Sequence, residues 1–580
     1  MPTTPTGLRV QARRLTQRVR GAGRVLHDVS VDIAPGRIAV IAGSSGAGKT
    51  VLLESLAGLR AADEGTVLHD GARPGAPGPE FGFVPQEDIL HRDLPLHRTL
   101  VYAAGLRMPA GTSAPAVTAA VDRVLVSLGL SHRAGTPVRA LSGGERKRAG
   151  IAAELLTGPR SLFLDEPTSG LDPVTGAALL RTLRSLAEGG TTVVLTTHVL
   201  ADLLRGDHVV FLSPDGQVAY AGEPGGLCGA FGVDTVEDVY GVVAEGAVPV
   251  GAVAAGGVSA GALPDGAGSD GVRVGPAPDG PAVPRARPAA RPVPRRRVGA
   301  VRQWSLLTRR GTALLLHSRL SVAVLAGSPV MIVAMFAVLF RAGAFDPADP
   351  DPGSTAMIMF WIAFGAFFFG LTYGLLQICT ELPVLRREWL AGLRIGPYVA
   401  SKLTIMLPVL AAADALLLAV LRALDRLPPA GWDVYLSLFV SSVLASAAAL
   451  ALGLLASAAV TDPGQATLML PLLCFPQVLF SGAFVPVPRM TAAGEAISWA
   501  MTNRWAFEAL GAGIGLEALW RDGASRLGPP LLDAYGDSFA GPARHGWLIL
   551  TGFTLVFLAA TWAVLVRKCR GGVVRDRAGG

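Results

Sequence analysis

The chain has 580 residues, more than one hydrophobic core can organise, with 51 basic against 44 acidic side chains and a formal net charge of +7, so two or three domains are expected. A mean hydropathy of +0.45, with ionisable residues gathered in 1–300 and long uncharged runs in 318–570, excludes a wholly soluble protein and predicts one half in water and one in lipid. The positive excess does not indicate a nucleic-acid partner: it concentrates in 285–297 and at Arg567, Lys568 and Arg570, flanking the apolar half, without interleaved aromatics for base stacking.

The four cysteines (Cys228, Cys379, Cys474, Cys569) form no CxxC pair and none falls in the segment placed outside below, so no disulfide framework is expected. The nine histidines are scattered, without metal-ligand spacing. Residues 1–10 lack an apolar core and do not read as a signal peptide, so insertion is expected from internal segments.

In chain order, 37–42 reads as a short buried strand running into Gly43, Ser44, Ser45, Gly46, Ala47, Gly48, Lys49 and Thr50, and 51–59 carries helical apolar spacing. Strand, glycine-rich loop and helix bring backbone N–H groups and a helix N-terminus onto phosphate oxygens. Lysine occurs at only four positions, so an ammonium kept at Lys49 in an arginine-biased chain suits a point charge between β- and γ-phosphates. Thr50 would offer its hydroxyl to Mg²⁺. A second apolar strand, 161–164, ends in Asp165 and Glu166. The first carboxylate would hold Mg²⁺ through water, and the second would polarise the attacking water as general base. A third strand, 192–196, ends near His198, which could reach a γ-phosphate. Three such strands predict a mainly parallel sheet with its site at the strand carboxyl ends, closed by a hairpin over 207–220.

Between the loop and the carboxylates lie Leu141, Ser142, Gly143, Gly144 and Glu145. Together with Phe83-Val84-Pro85-Gln86, Ser169-Gly170-Leu171-Asp172 and His198, in that order, they make residues 10–220 resemble the nucleotide-binding domain of an ABC transporter. The resemblance implies an α/β P-loop NTPase fold with a helical subdomain, and ATP and Mg²⁺ as cofactors. It makes Gln86 the Q-loop glutamine, a catalytic-site residue beside Glu166 and His198 and a Mg²⁺ ligand beside Thr50 and Asp165; Asp172 becomes the D-loop carboxylate. It further implies a head-to-tail dimer, each ATP lying between one copy's Lys49 loop and Ser142 and Gly144 of the other. Both sites are expected to be competent, because neither Glu166 nor the signature is degraded. Where the family often places an aromatic to stack on adenine this chain has Val19, so weak base contact and reduced selectivity for ATP over GTP are expected.

Residues 244–298, rich in Ala, Gly, Pro, Val and Arg and without period, read as a disordered linker between domains 1–243 and 299–580. Its arginines suit anionic lipid headgroups or a plain cytoplasmic charge bias. Residues 301–317 mix Trp304, Leu306, Leu307 and Leu314 with Arg302, Arg309 and Arg310, the pattern of an interfacial helix. Six apolar segments of spanning length follow, at about 319–341, 355–378, 401–421, 434–458, 465–483 and 546–566. Arg386, Arg387, Arg394 and Lys402 follow the second; Asp346, Asp349 and Asp351 follow the first. That asymmetry places both termini in the cytoplasm and leaves 484–545 as a large outer loop.

Residues 381–388 with 392–402, 481–486 and 503–510 resemble motifs of the ABCG-type, ABC-2-like membrane domain, and the ATPase-first order is also the ABCG order. This implies an all-α six-span domain and a half-transporter exporting from the plasma (inner) membrane as a homodimer, or as a heterodimer with another half-transporter. Glu381 and Glu388 are the candidates for coupling, on a loop that would press on the helical subdomain near Gln86. Phe360, Phe364 and Phe368 share one face of the second span. By resemblance that helix lines a central slit, with Phe369 as a substrate-stacking aromatic and Ala483 and Phe484 near an outer plug. Asp414, midway along the third span, is either a functional charge or a structural hydrogen-bonding group. Pro471 and Pro476 should kink the fifth span. The expected activity is ATP-driven export of a lipid, drug or other amphipathic substrate; the alternative is a membrane-anchored ATPase that remodels or signals without moving a solute. The Arg and Ala bias points to a GC-rich bacterial source.

Overall fold

The computed structural model describes residues 7–19, 21, 23–74, 80–86, 89–244 and 298–570. The expected linker, with its arginine run, lies outside the described residues except at its two ends. A three-stranded antiparallel sheet is formed by β1 (Val10–Val19), β2 (Gly23–Ile33) and β4 (Glu64–His69), ordered β2-β1-β4. Beside it stands a six-stranded sheet built from β3 (Ile38–Gly43), β5 (Phe81–Val84), β6 (Ser161–Leu164), β7 (Thr192–Thr196), β8 (His208–Leu212) and β9 (Val218–Gly222). Its order is β5-β6-β7-β3-β8-β9, parallel except for the β8–β9 hairpin. All six residues of β3 are buried, as a central parallel strand covered on both faces requires.

Helix α1 (Lys49–Leu56) packs on one face, where Leu52, Leu53 and Leu56 are wholly shielded, each worth about 1.5–3 kcal/mol. A helical subdomain of α2 (Leu96–Arg107), α3 (Ala114–Ser127) and α4 (Gly143–Leu155) shares its core with the other face, through Leu100, Val121 and Ile151. Helix α5 (Pro173–Glu188) and the short helices α6 (Leu200–Leu203), α7 (Leu227–Phe231) and α8 (Val236–Ala244) complete this half.

The other half is helical throughout. The expected interfacial helix is α9 (Ala300–His317), lying along α13 (Ile395–Ala423). The six expected spans correspond to α10 (Arg319–Leu339), α11 (Pro352–Leu375), α13, α14 (Trp432–Ala459), α15 (Pro463–Leu479) and α20 (Arg544–Arg570). Among the described residues four of these, α11, α13, α14 and α20, are long and apolar enough to cross a membrane; α10 and α15 hold 21 and 17 residues. Helix α15 is unbroken through Pro471 and Pro476. Between α11 and α13 lies the short α12 (Leu382–Leu390).

Residues 484–545, expected as a loop, are instead mostly helical: α16 (Ala492–Trp499), α17 (Thr502–Ile514), α18 (Leu516–Asp522) and α19 (Gly528–Tyr535). Helix α17 packs among α11, α14 and α20. The rings of Phe507, Trp520, Tyr535 and Phe539 pack edge-on or tilted against one another, and Arg504 lies 5.1 and 4.5 Å from the rings of Trp499 and Trp505. These aromatics are spaced through a stretch too rich in Gly and Pro to show one period, which hid the fold.

The tightest helix pair is α11 with α14. A Cβ on Gly374 would stand 2.7 Å from the Leu450 carbonyl oxygen, and one on Gly453 would stand 2.7 Å from that of Leu371. Backbone contact of this kind is how helices associate where water supplies no hydrophobic drive. Gly374→Val should therefore destabilise the purified protein by about 1–3 kcal/mol. Gly552→Ala on α20, whose Cβ would meet nothing within 4 Å, should leave the melting midpoint in place. Equal midpoints for the two variants would contradict this packing.

Candidate functional site

Strand β3 delivers the chain to Gly43 (φ 145°), where a Cβ would lie 2.7 Å from the Leu212 carbonyl oxygen. The loop then enters α1 through Gly48 in the left-handed region (φ 89°). Lys49 Nζ folds back to donate to the carbonyls of Gly43 and Ser44, at 3.0 and 2.9 Å. Burial lowers the pKa of this ammonium, opposed by Glu166 and Asp165. A phosphate oxygen would replace its two neutral acceptors with charged ones.

Thr50 and Thr196 both donate to Asp165, at 2.9 Å (Oδ2) and 2.6 Å (Oδ1). A hydroxyl and a carboxylate within 3 Å, hard oxygen donors at the loop's helix N-terminus, fit Mg²⁺. Glu166 takes up positive φ (46°), uncommon away from glycine, and its N–H donates to Thr196 Oγ1 at 2.9 Å. Its Oε2 is met by Gln86 Nε2 at 3.2 Å and by His198 Nδ1 at 3.3 Å. Residues distant in sequence therefore converge on one carboxylate at the carboxyl ends of β5, β6 and β7. Lys147, on α4, donates to the carbonyls of Glu166 (2.9 Å) and Ser169 (2.7 Å) and fixes the turn behind that carboxylate. Its rarity as a lysine was the available signal for this role.

The signature residues open α4. Ser142 is its N-cap: Glu145 N–H donates to Ser142 Oγ at 3.3 Å, and Ser142 N–H donates to Glu145 Oε2 at 2.8 Å, a reciprocal capping box. The Ser142 N–H holds the Glu145 carboxyl below its usual range against the desolvation of burial, helped by Arg133 donating at 2.8 Å. Glu145 is thus spent on presenting Ser142, beside Leu141, Gly143 and Gly144. Asp172 N-caps α5, accepting from the Val174 and Thr175 N–H groups at 3.1 and 3.0 Å. Val19 ends β1, half-buried.

The coupling candidates sit where the two halves meet, beside His91 of the ATPase half. Glu388 is buried against Arg310 of α9 in a bidentate pair, and Glu381 pairs with Lys402 at 2.8 Å and accepts from Tyr398 at 3.1 Å. Burial opposes ionisation of Glu381, yet Lys402, His91 and Arg310 hold its pKa down to about 2. The hydrogen-bonding partners of both carboxylates belong to the membrane half, and His91 of the ATPase half is buried beside them. Arg302 donates across to the Thr112 carbonyl at 3.2 Å and Tyr102 to the Arg309 carbonyl at 3.3 Å, and Arg387 of α12 crosses beside Gln86. Its Nη1 donates to the Ile89 carbonyl at 2.7 Å, three residues beyond Gln86, and its Nε stands 3.6 Å from Glu154 on α4. Arg107 of α2 holds that glutamate from the other side at 2.7 Å. His91 is buried among Arg310, Glu381, Glu388 and Lys402; burial and then Arg310 push its pKa down to about 4, against the two glutamates. Arg387 stood in the 381–388 motif and in a charge run read for topology, and was not itself singled out; nothing local marked His91.

In the membrane half Phe364 and Phe368 remain half-buried on α11, and Phe484 packs edge-on against Phe360 at 5.1 Å. Ala483 is buried, its carbonyl accepting from Tyr535 at 2.8 Å. Phe369 and Asp414 are fully buried inside the protomer, so neither lines an open face of one chain. Asp414 instead accepts from Ser446 Oγ at 2.8 Å, linking α13 to α14.

The His91 geometry gives a pH prediction. Its folded pKa lies below the unfolded value of 6.5, so the unfolded chain binds a proton first and stability falls as pH drops from 6.5 toward 4, by up to about 3 kcal/mol. Glu381 adds its own loss only as pH falls from 4.5 toward 2. Limited proteolysis across this range should show loosening between pH 6.5 and 4 in the native chain and not in His91→Gln; identical profiles would contradict the assignment.

A family model described as ABC transporter matches residues 26–169, and one described as ABC-2 type transporter matches residues 302–514. An ABC transporter ATP-binding/permease protein of Mycobacterium tuberculosis is 31% identical over 519 residues, covering 87% of this chain and 58% of that protein. ABC transporter G family member 21 of Arabidopsis thaliana is 41% identical over 217 residues, 36% of this chain and 32% of its own length. G family member 7 of the same plant is 29% identical over 525 residues, covering 84% of this chain and 70% of its own length. The chain thus spans less than two thirds of the first two relatives. Among solved structures, cbiO1 of Clostridium perfringens, part of the ABC transporter complex cbiONQ, aligns at 25% identity with a TM-score of 0.34, covering 37% of this chain and 88% of that one.

Proposed function

The chain joins an ABC transporter ATP-binding domain to an ABC-2 type membrane domain, in that order, and from that premise we propose an ATP-driven exporter that works as a homodimer. The observation that carries the reading is Glu166, approached at 3.2 and 3.3 Å by Gln86 and His198, in a domain whose next segment is held by α12 of the membrane half.

In the proposed cycle the Lys49 ammonium exchanges its loop carbonyls for the β- and γ-phosphates of ATP. Thr50 and Asp165, with Gln86, would hold Mg²⁺, which would supply positive charge against the phosphate oxygens. Glu166 takes a proton from the attacking water, and His198 orients the γ-phosphate. Ser142 and Gly144 of the second copy close the pocket, the capping box keeping Ser142 in place. Asp172 stiffens the turn facing the second copy. Val19 offers no ring to the base, which supports loose nucleotide selectivity.

We divide the chain into an ATPase domain (1–243), a linker (244–298) and a membrane domain (299–580), with both termini cytoplasmic at the plasma membrane. The half-buried aromatic face of Phe364 and Phe368, with Phe484 near its outer end, supports a lipid or another amphipathic cargo.

Glu166→Gln should lower ATPase activity in reconstituted membranes by about 10²–10⁴-fold while ATP still binds. Hydrolysis at the native rate in that variant would end the general-base assignment. Native vesicles that hydrolyse ATP yet move no amphipathic dye would favour a remodelling role over export.

A further inference from the structure

Where the two halves meet, a cavity of about 550 Å³ opens between β5, α12 and the end of α20. That volume falls within the range of small-molecule sites. Phe81 and Phe83 of β5 and Trp389 and Leu390 of α12 give it apolar lining. Arg386 of α12 and Lys568 of α20 line it as well.

The two carboxylates that also line it are already committed. Glu54 is held by Arg60 at 2.8 Å, and Glu154 by Arg107 at 2.7 Å. Arg386 and Lys568, by contrast, pair with no carboxylate among the described residues. Lys568 Nζ donates to the Ala459 and Val460 carbonyls at 2.8 Å each, which fixes the ammonium at the end of α14 and leaves one of its three protons uncommitted. Two cations without counter-charge, in a cavity with apolar lining, match a molecule with an anionic head and an apolar body. Lys568 lies at the end of a span whose flanking charges place it on the inner membrane surface, where anionic phospholipids supply that chemistry.

The geometry points to a binding site for an anionic phospholipid in this cavity, the phosphate on Arg386 and Lys568 and the acyl region against Trp389 and Leu390. Phe83 lies on β5 and Pro85 immediately precedes Gln86, both in the cavity wall, so an occupant touches the segment that carries the catalytic-site glutamine. Lipid composition thereby reaches the hydrolytic pocket without entering it. The inference rests on the membrane placement proposed above, but not on hydrolysis.

The test is quenching of Trp389 fluorescence, taken as the difference from Trp389→Phe, in the full chain in nanodiscs containing brominated phosphatidylglycerol or brominated phosphatidylcholine. Phosphatidylglycerol should quench more strongly, and each of Arg386→Gln and Lys568→Gln should weaken its half-saturation about fivefold. Arg386→Lys should restore most of the loss, which separates lost charge from misfolding. Equal quenching by the two lipids, or glutamine variants indistinguishable from native, would overturn the site. Release of the brominated lipid by glycerol phosphate at comparable concentration would make this a soluble-anion site and overturn the amphiphile assignment. Binding is read without ATP, so preferential quenching in a chain that hydrolyses none would sink the proposed function and leave this site standing.

Discussion

The arrangement depends on a layer of buried charge where a water-facing ATPase meets a lipid-facing bundle. Arg310 with Glu388, Lys402 with Glu381, and Arg387 with Glu154 and Arg107 stand in one junction. Taking these groups from water is costly, and opposite charges offset the cost: in a bidentate pair for Arg310 and Glu388 and at 2.8 Å for Lys402 and Glu381, but only at 3.6 Å for Arg387 and Glu154, whose facing atoms make no hydrogen bond. Removing one partner leaves a buried charge alone, a far larger penalty than an exposed pair would incur. Of these pairs only Arg387 with Glu154 joins the two halves; the other two fix α12 within the membrane half so that Arg387 is held in place.

Within that layer the division of labour is clear. Glu381 and Glu388 brace α12 against α9 and α13, and Arg387 uses the braced helix to hold the Ile89 carbonyl. From Ile89 the chain leads back to Gln86 and to Glu166. From Glu154 the path runs along α4 to its capped start at Ser142. One arginine thus touches both the segment after Gln86 and the helix that Ser142 opens. Lys147, also on α4, ties that helix to the Glu166 turn.

Much of the ATPase site was legible in sequence because its chemistry needs residue types at fixed spacing. A glycine loop entering a helix, Asp-Glu after an apolar strand and a histidine after the next each leave a linear trace, and all fall at strand ends of one sheet. The antiparallel sheet was not legible: register shifts between Ala12 and Leu15 and between Leu15 and Gln17 break the alternation that would have marked β1. Four of the six expected spans coincide with helices long and apolar enough to cross a membrane among the described residues, but the packed helices of 484–545 were not legible, since their contacts join residues far apart. Glu388 was singled out over its neighbour Arg387 because burial partners cannot be read from a charge run.

The central claim is that ATPase closure reaches the membrane helices through Arg387 on Ile89. Its most direct test is the distance between spin labels on α16 of two copies, measured with and without ATP and vanadate, in the native chain and in Arg387→Met. The account predicts an outer-side shift in the native chain, and no shift in Arg387→Met despite nucleotide trapping. An identical outer shift in both would contradict it.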